Sequence, residues 1–316
     1  MRSSSKIPSY AHIYTRFSMK LNDPLDFAKK LGASVLFWEL PRALCSVVVR
    51  RAYGEPKTAA ERSFVEIAPS YIMSAAHATA LATCGLAIGY EALKLPIARD
   101  RYYLHEGTTL KHGPLVMTEI GNWLFCGYMT GDLAHVLAEY PKLGKMDMVV
   151  HHACFIACSL IAGHSQTMIL PFSWLLIGEF STPLLCFRWL VQQMTYELKS
   201  ERIIRWAKAL GYKGESVSSV TNAGKQMEFL SGVAFMAVFF VVRIVTYSAG
   251  FANMVYHARV GTFDTIPKWV TTTLLALVSC GAGLNYYWFS LMLRKALRGP
   301  PKPKSGDATA SEKKEE

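Results

Sequence analysis

The apolar residues of this chain are gathered into blocks close to the length of about 20 that a helix needs to cross a bilayer. Six such blocks run approximately from 69 to 91, 114 to 138, 148 to 163, 167 to 191, 229 to 252 and 268 to 293. Within hydrocarbon each backbone N–H and C=O must be satisfied inside its own segment, so these blocks predict helices. The expected fold is an all-α polytopic membrane bundle. A seventh block, 32 to 49, carries Glu39, Pro41 and Arg42 at its centre and reads either as a poor span or as an interfacial helix. The bundle therefore has six or seven transmembrane helices. Only GHSQ (163 to 166) separates the third block from the fourth, which predicts a tight antiparallel hairpin with His164 near its tip.

A net charge of +11 would suggest a nucleic-acid partner in a soluble protein. Here 51% of residues are hydrophobic, and Lys and Arg collect between the apolar blocks and in the C-terminal tail, where they act as topology signals and headgroup contacts. No nucleic-acid partner is expected. The loops after blocks two and four, the segment before block one and the tail hold most of these cations, so this side, with the C-terminus, is assigned to the cytoplasm. Residues 1–59 form an N-terminal arm with the possible extra helix, 60–297 the membrane domain, and 298–316 a polar, Pro-containing tail expected to be disordered. The last four residues, Lys313, Lys314, Glu315 and Glu316, match a cytosolic dilysine retrieval signal. An endoplasmic reticulum membrane address and coat-protein contacts through that tail follow. All seven cysteines lie in or beside apolar blocks, which argues against a disulfide framework.

Ionisable groups inside the blocks are the candidates for function, because a charge at bilayer depth costs about 2.5–3.5 kcal/mol on insertion scales. His77, Asp132, His151 and His152 fall at similar depth towards the cytoplasmic side. His135 lies three residues after Asp132 on the same helix face, and an Asp beside a His fixes its tautomer and raises its basicity. Glu179 and Arg243 are placed deeper, and a buried ion pair between them is the structural reading. Thr182 and Pro183 predict a kink whose freed carbonyls a hydroxyl can satisfy. His151, Cys154 and Cys158 share one helix face, yet no loop supplies a fourth ligand, so no metal is expected. Asn285 sits among aromatics in LNYYWF, as a packing amide in an interfacial belt or as a ligand contact.

Six segments, SAAHA (74 to 78), TGDLAHVL (130 to 137), DMVVHH (147 to 152), GEFSTPLLCFRW (178 to 189), VVRIV (241 to 245) and LNYYWF (284 to 289), occur in the order and spacing of a known pattern. Over about residues 60 to 297 the chain resembles the TLC domain family, endoplasmic reticulum membrane proteins that include ceramide synthases. In those synthases the double histidine and a later His-Asp-x-x-Asp segment are needed for acyl transfer from acyl-CoA to a sphingoid amine. This chain keeps His151 and His152 but has Gly178, Glu179, Ser181 and Thr182 around the second element, and Phe155 where a Thr is usual. It also lacks the homeobox-like insertion of many animal synthases. The resemblance is to the non-synthase branch, linked to phospholipid composition and lipid trafficking.

The resemblance implies lipid handling in an intramembrane cavity, with membrane lipids, an acyl chain or a sphingoid base as partners. The alternative is acyl transfer, with acyl-CoA as co-substrate, His151 or His152 as base or nucleophile, and Asp132 or Glu179 orienting it. His77, His135, Arg243 and Asn285 would then contact substrate. A third reading, a cargo or translocation accessory role, rests on the resemblance alone. Convergence of His151, His152, Asp132 and Glu179 on one cavity would favour catalysis; closure of Glu179 onto Arg243 would disfavour it.

Overall fold

A computed structural model describes residues 23–94, 114–165, 167–197 and 217–298, and every extended element in them is helical. The dilysine Lys313 and Lys314, the arm before residue 23 and most of the basic connector after the fourth block lie outside the described residues. Seven long helical rods make up the bundle: α1 Pro24–Tyr53, α2 Ala59–Leu93, α3 Pro114–Ala138, α4 Met146–Ser165, α5 from Ile169–Ile177 through Gln193–Glu197, α6 from Val217–Phe239 through Tyr247–Arg259, and α7 Lys268–Leu297. All but α3 contain a stretch long and apolar enough to cross a membrane. α3 is shielded by α1, α2 and α4, so the polar Glu119, Asn122, Asp132 and His135 in its sequence face protein more than lipid.

Local chemistry sets where these rods begin. The Asp23 carboxylate accepts from Asp26 N–H and caps α1, with Pro24 at the first helical position. Thr58 and Glu61 form a reciprocal capping box that starts α2.

The segment 32 to 49 belongs to one continuous helix of 30 residues, Pro41 included. The charges that made it a poor span are all turned inward. Glu39 Oε2 meets His135 Nε2 at 2.9 Å, Arg42 lies 3.8 Å from Glu39, and Arg42 donates to Ser70 Oγ at 2.5 Å. Leu36, Phe37, Leu40 and Leu44 are left exposed on the other face, as lipid contact requires. Small residues let α1 lie close on α3: a Cβ at Gly127 would stand 2.5 Å from Ser34 Cβ, and one at Gly131 2.9 Å from Glu39 Oε1. Gly127→Leu is therefore expected to prise α1 from α3 and cost about 1–3 kcal/mol. Cysteine cross-linking between the two helices checks it; an unchanged cross-link yield refutes the close approach.

The expected α4–α5 hairpin is corrected. The chain does reverse within three residues, with Met168 in the left-handed region (φ 63°) and Thr167 N–H donating to Ala162 C=O at 3.0 Å. The two rods then part instead of packing along each other: α4 goes against α3 and α7, and α5 against α2. Glycine dictates the second choice, since a Cβ at Gly85 would sit 2.7 Å from Leu176 Cβ and one at Gly89 3.0 Å from Ser173 Oγ. Between the separated α4 and α5 lies a small apolar pocket lined also by Tyr247 and Met254 of α6 and Leu274 of α7.

Candidate functional site

Six helices, α2 to α7, line a partly open cavity of about 410 Å³. That volume falls within the roughly 300–1,000 Å³ of ordinary ligand pockets. Its wall carries His77 from α2, Asp132 from α3, His151 and His152 from α4, Glu179 from α5 and Arg243 from α6. Six ionisable groups from five helices, remote in sequence, thus share one space. Phe235, Phe239, Leu291 and Met292 supply an apolar part of the same wall.

His152 is fixed at both nitrogens. Nδ1 lies 2.8 Å from Met148 C=O and Nε2 3.0 Å from Asp132 Oδ2. A carbonyl only accepts, so Nδ1 must carry a proton; Nε2 and the carboxylate oxygen then need a second proton between them. The pair is an imidazolium against a carboxylate or its neutral tautomer, and neither form leaves His152 a free lone pair. Asp132 takes this role with His152 and not with His135, correcting the expectation from spacing. His135 turns away to Glu39 on α1 and does not line the cavity.

His151 differs from its neighbour. Its ring packs edge-on against Phe155 at 4.5 Å and Trp288 at 5.3 Å between centroids, and Nδ1 has no hydrogen-bond partner among the described residues. Consecutive helical residues point about 100° apart, so one histidine can be locked while the next is left open. Phe155, one turn on along α4, gives His151 an aromatic neighbour. Trp288 is held in turn by its Nε1–H, which donates to Asp147 Oδ2 at 2.7 Å and ties α7 to the first turn of α4. His77 is 1% exposed, stacks on Tyr128 with centroids 3.6 Å apart, and has an unpartnered Nε2 among the described residues.

Glu179 is closed onto Arg243. Oε1 accepts from Arg243 Nη2 at 2.9 Å and Oε2 from Thr182 Oγ1 at 2.9 Å, with both charged side chains under 10% exposed. The local backbone is built for this pair. Gly178–Ser181 forms a 3₁₀ turn ahead of Pro183, in which Thr182 N–H reaches Glu179 C=O, and the Gly178 carbonyl accepts from Arg243 Nε at 2.9 Å. The irregularity expected here takes the form of that 3₁₀ turn, and a guanidinium satisfies its Gly178 carbonyl at a shorter distance than a hydroxyl does, since Ser181 Oγ stands at 3.3 Å. Arg243 itself sits in a π-helical stretch, Phe240–Thr246. Such wide turns recur at functional sites.

Asn285 is 1% exposed and lies off the cavity wall; its neighbour one turn on, Trp288, lines it. The aromatic-belt reading hid Trp288, although LNYYWF places Asn285 and Trp288 on one helix face. A second, part-buried network also escaped the sequence: Arg188, Gln192 and Tyr196 of α5 all donate to the Glu228 carboxylate of α6 at 2.8 Å. Cys154 Sγ stands 3.5 Å from Cys280 Sγ across α4 and α7. No three His, Cys, Asp or Glu side chains come together as a metal site among the described residues.

The sequence matches a family model described as TLC domain over residues 70–294. It is similar to a TLC domain-containing protein 4-B of Xenopus laevis, with 27% identity over 157 residues, 48% of this chain and 47% of that protein. The alignment spans about half the length of this curated relative.

Proposed function

The chain belongs to the TLC domain family, and we propose from that premise that it is a lipid-handling protein whose α2–α7 cavity receives the polar end of a membrane lipid. One observation carries the reading: a ligand-sized space inside a membrane bundle is polar on one part of its wall and lined by Phe235, Phe239, Leu291 and Met292 on another. A lipid has that same division. In this reading the endoplasmic reticulum is the site of action and the C-terminus is cytosolic. Deleting residues 313–316 is expected to release the protein from that membrane in a fluorescence localisation assay; unchanged residence would remove the retrieval signal from the proposal.

The cavity reading is tested by native mass spectrometry of protein released from mixed-lipid nanodiscs. A retained lipid is expected, and it should be lost when Ser74, on the cavity wall, is changed to Trp. Retention of the same lipid by Ser74→Trp would place it outside the cavity and sink the proposal.

Acyl transfer is a second reading, favoured by the imidazole of His151 on the cavity wall, which no ion pair engages. His152 and Glu179 are both engaged, so of the double histidine His151 is left to serve as base or nucleophile. Long-chain acyl-CoA supplied with sphingoid or lysophospholipid acceptors would then yield a product that depends on His151. Absence of such product from every acceptor, in wild type as in His151→Phe, would end this reading.

A further inference from the structure

The charges of the cavity wall cancel in pairs. Asp132 is matched by His152 at 3.0 Å and Glu179 by Arg243 at 2.9 Å. A phosphate entering this space would have to draw Arg243 from Glu179 or the His152 proton from Asp132. Either exchange leaves a carboxylate uncompensated in a buried site, the costly way to break an ion pair. An ammonium faces the mirror problem, since both carboxylates already hold a cation. What the wall has left to offer is neutral: the imidazoles of His77 and His151 line the cavity, and neither is held in an ion pair among the described residues. A neutral imidazole presents one N–H and one lone pair. A hydroxyl or amide, donor and acceptor at once, complements both.

We propose that the cavity selects a lipid with an uncharged, hydroxyl- or amide-bearing head over anionic, zwitterionic or cationic ones. This rests on the reading of the cavity as a lipid site and adds the class of head it accepts. Such a head set against His77 and His151 would exchange donor and acceptor with imidazoles that no ion pair engages. Phe235, Phe239, Leu291 and Met292 of the same wall receive the start of the chain.

Diazirine-bearing probes incorporated at equal mole fraction into nanodiscs with the full-length protein test this: a diacylglycerol, a phosphatidic acid, a phosphatidylcholine and a long-chain amine, with cross-linked peptides mapped by mass spectrometry. The diacylglycerol probe should label cavity-facing peptides of α2 and α4 about tenfold above each charged probe, a difference of about 1.4 kcal/mol. His151→Phe should remove most of that preference, and His151→Gln, which keeps a donor and an acceptor, should retain it; the yield of label on the lipid-facing surface of α1 controls for folding. Equal or stronger labelling of the cavity by any charged probe overturns the selectivity and leaves the lipid site standing. Labelling of the cavity by no probe above the level on α1 overturns both.

Discussion

Arg243→Met should destabilise the protein by about 3–5 kcal/mol, the cost of removing one partner from a buried ion pair. The change strips a donor from Glu179 Oε1 and another from the Gly178 carbonyl, and both groups stay buried. Thr182 still donates to Oε2, so the carboxylate keeps one contact and loses its countercharge. Adding Glu179→Gln to Arg243→Met removes the orphaned charge and is expected to recover a large part of the loss, because replacing a pair with neutral groups of similar volume is far milder than halving it. Steric-trapping or denaturant unfolding in bicelles measures all three proteins. A loss below about 1 kcal/mol in Arg243→Met would mean that Glu179 is protonated there and that the contact is an ordinary hydrogen bond. The charge cancellation on the cavity wall would then fail with it.

Helix number and position were legible because hydropathy reports the solvent a segment meets, and the apolar blocks could meet only lipid. α1 was ambiguous for a physical reason: composition counts Glu39 and Arg42 against a span, whereas their partners, His135 on α3 and Ser70 on α2, are supplied by helices remote in sequence. Depth arguments found His77, Asp132, His151, His152, Glu179 and Arg243, all of which meet at the cavity. They paired Glu179 with Arg243 but did not pair Asp132 with His152. Asp132 and His135 share a helix face, but which neighbour each meets depends on where α1 and α4 lie against α3, a matter of glycine contacts such as Gly127 with Ser34. The same limit hid Trp288 and the Glu228 network. Loop length misled at residues 163–166, since a short connection fixes where two helices begin and leaves open which neighbours they choose.

His151 and His152 should fail in opposite assays when each is replaced by Phe, which keeps the ring's volume and removes its nitrogens. His152→Phe leaves Asp132 Oδ2 and the Met148 carbonyl without their side-chain partner, and is expected to cost about 2–4 kcal/mol. His151→Phe removes a nitrogen that no described group satisfies and keeps the packing on Phe155 and Trp288, so stability should change by less than about 1 kcal/mol and in either direction. Capture of the diacylglycerol probe reverses the order among molecules that remain folded. His151→Phe should lose most of it, whereas folded His152→Phe keeps the open imidazoles of His77 and His151 and retains the larger share. Protein recovered in monodisperse form, compared at equal folded concentration, separates the two readouts. Equal losses of stability would show that His151 has a partner the locked geometry of His152 merely duplicates; equal losses of capture would make the double histidine a single functional unit, with the proton held against Asp132 taking part in recognition.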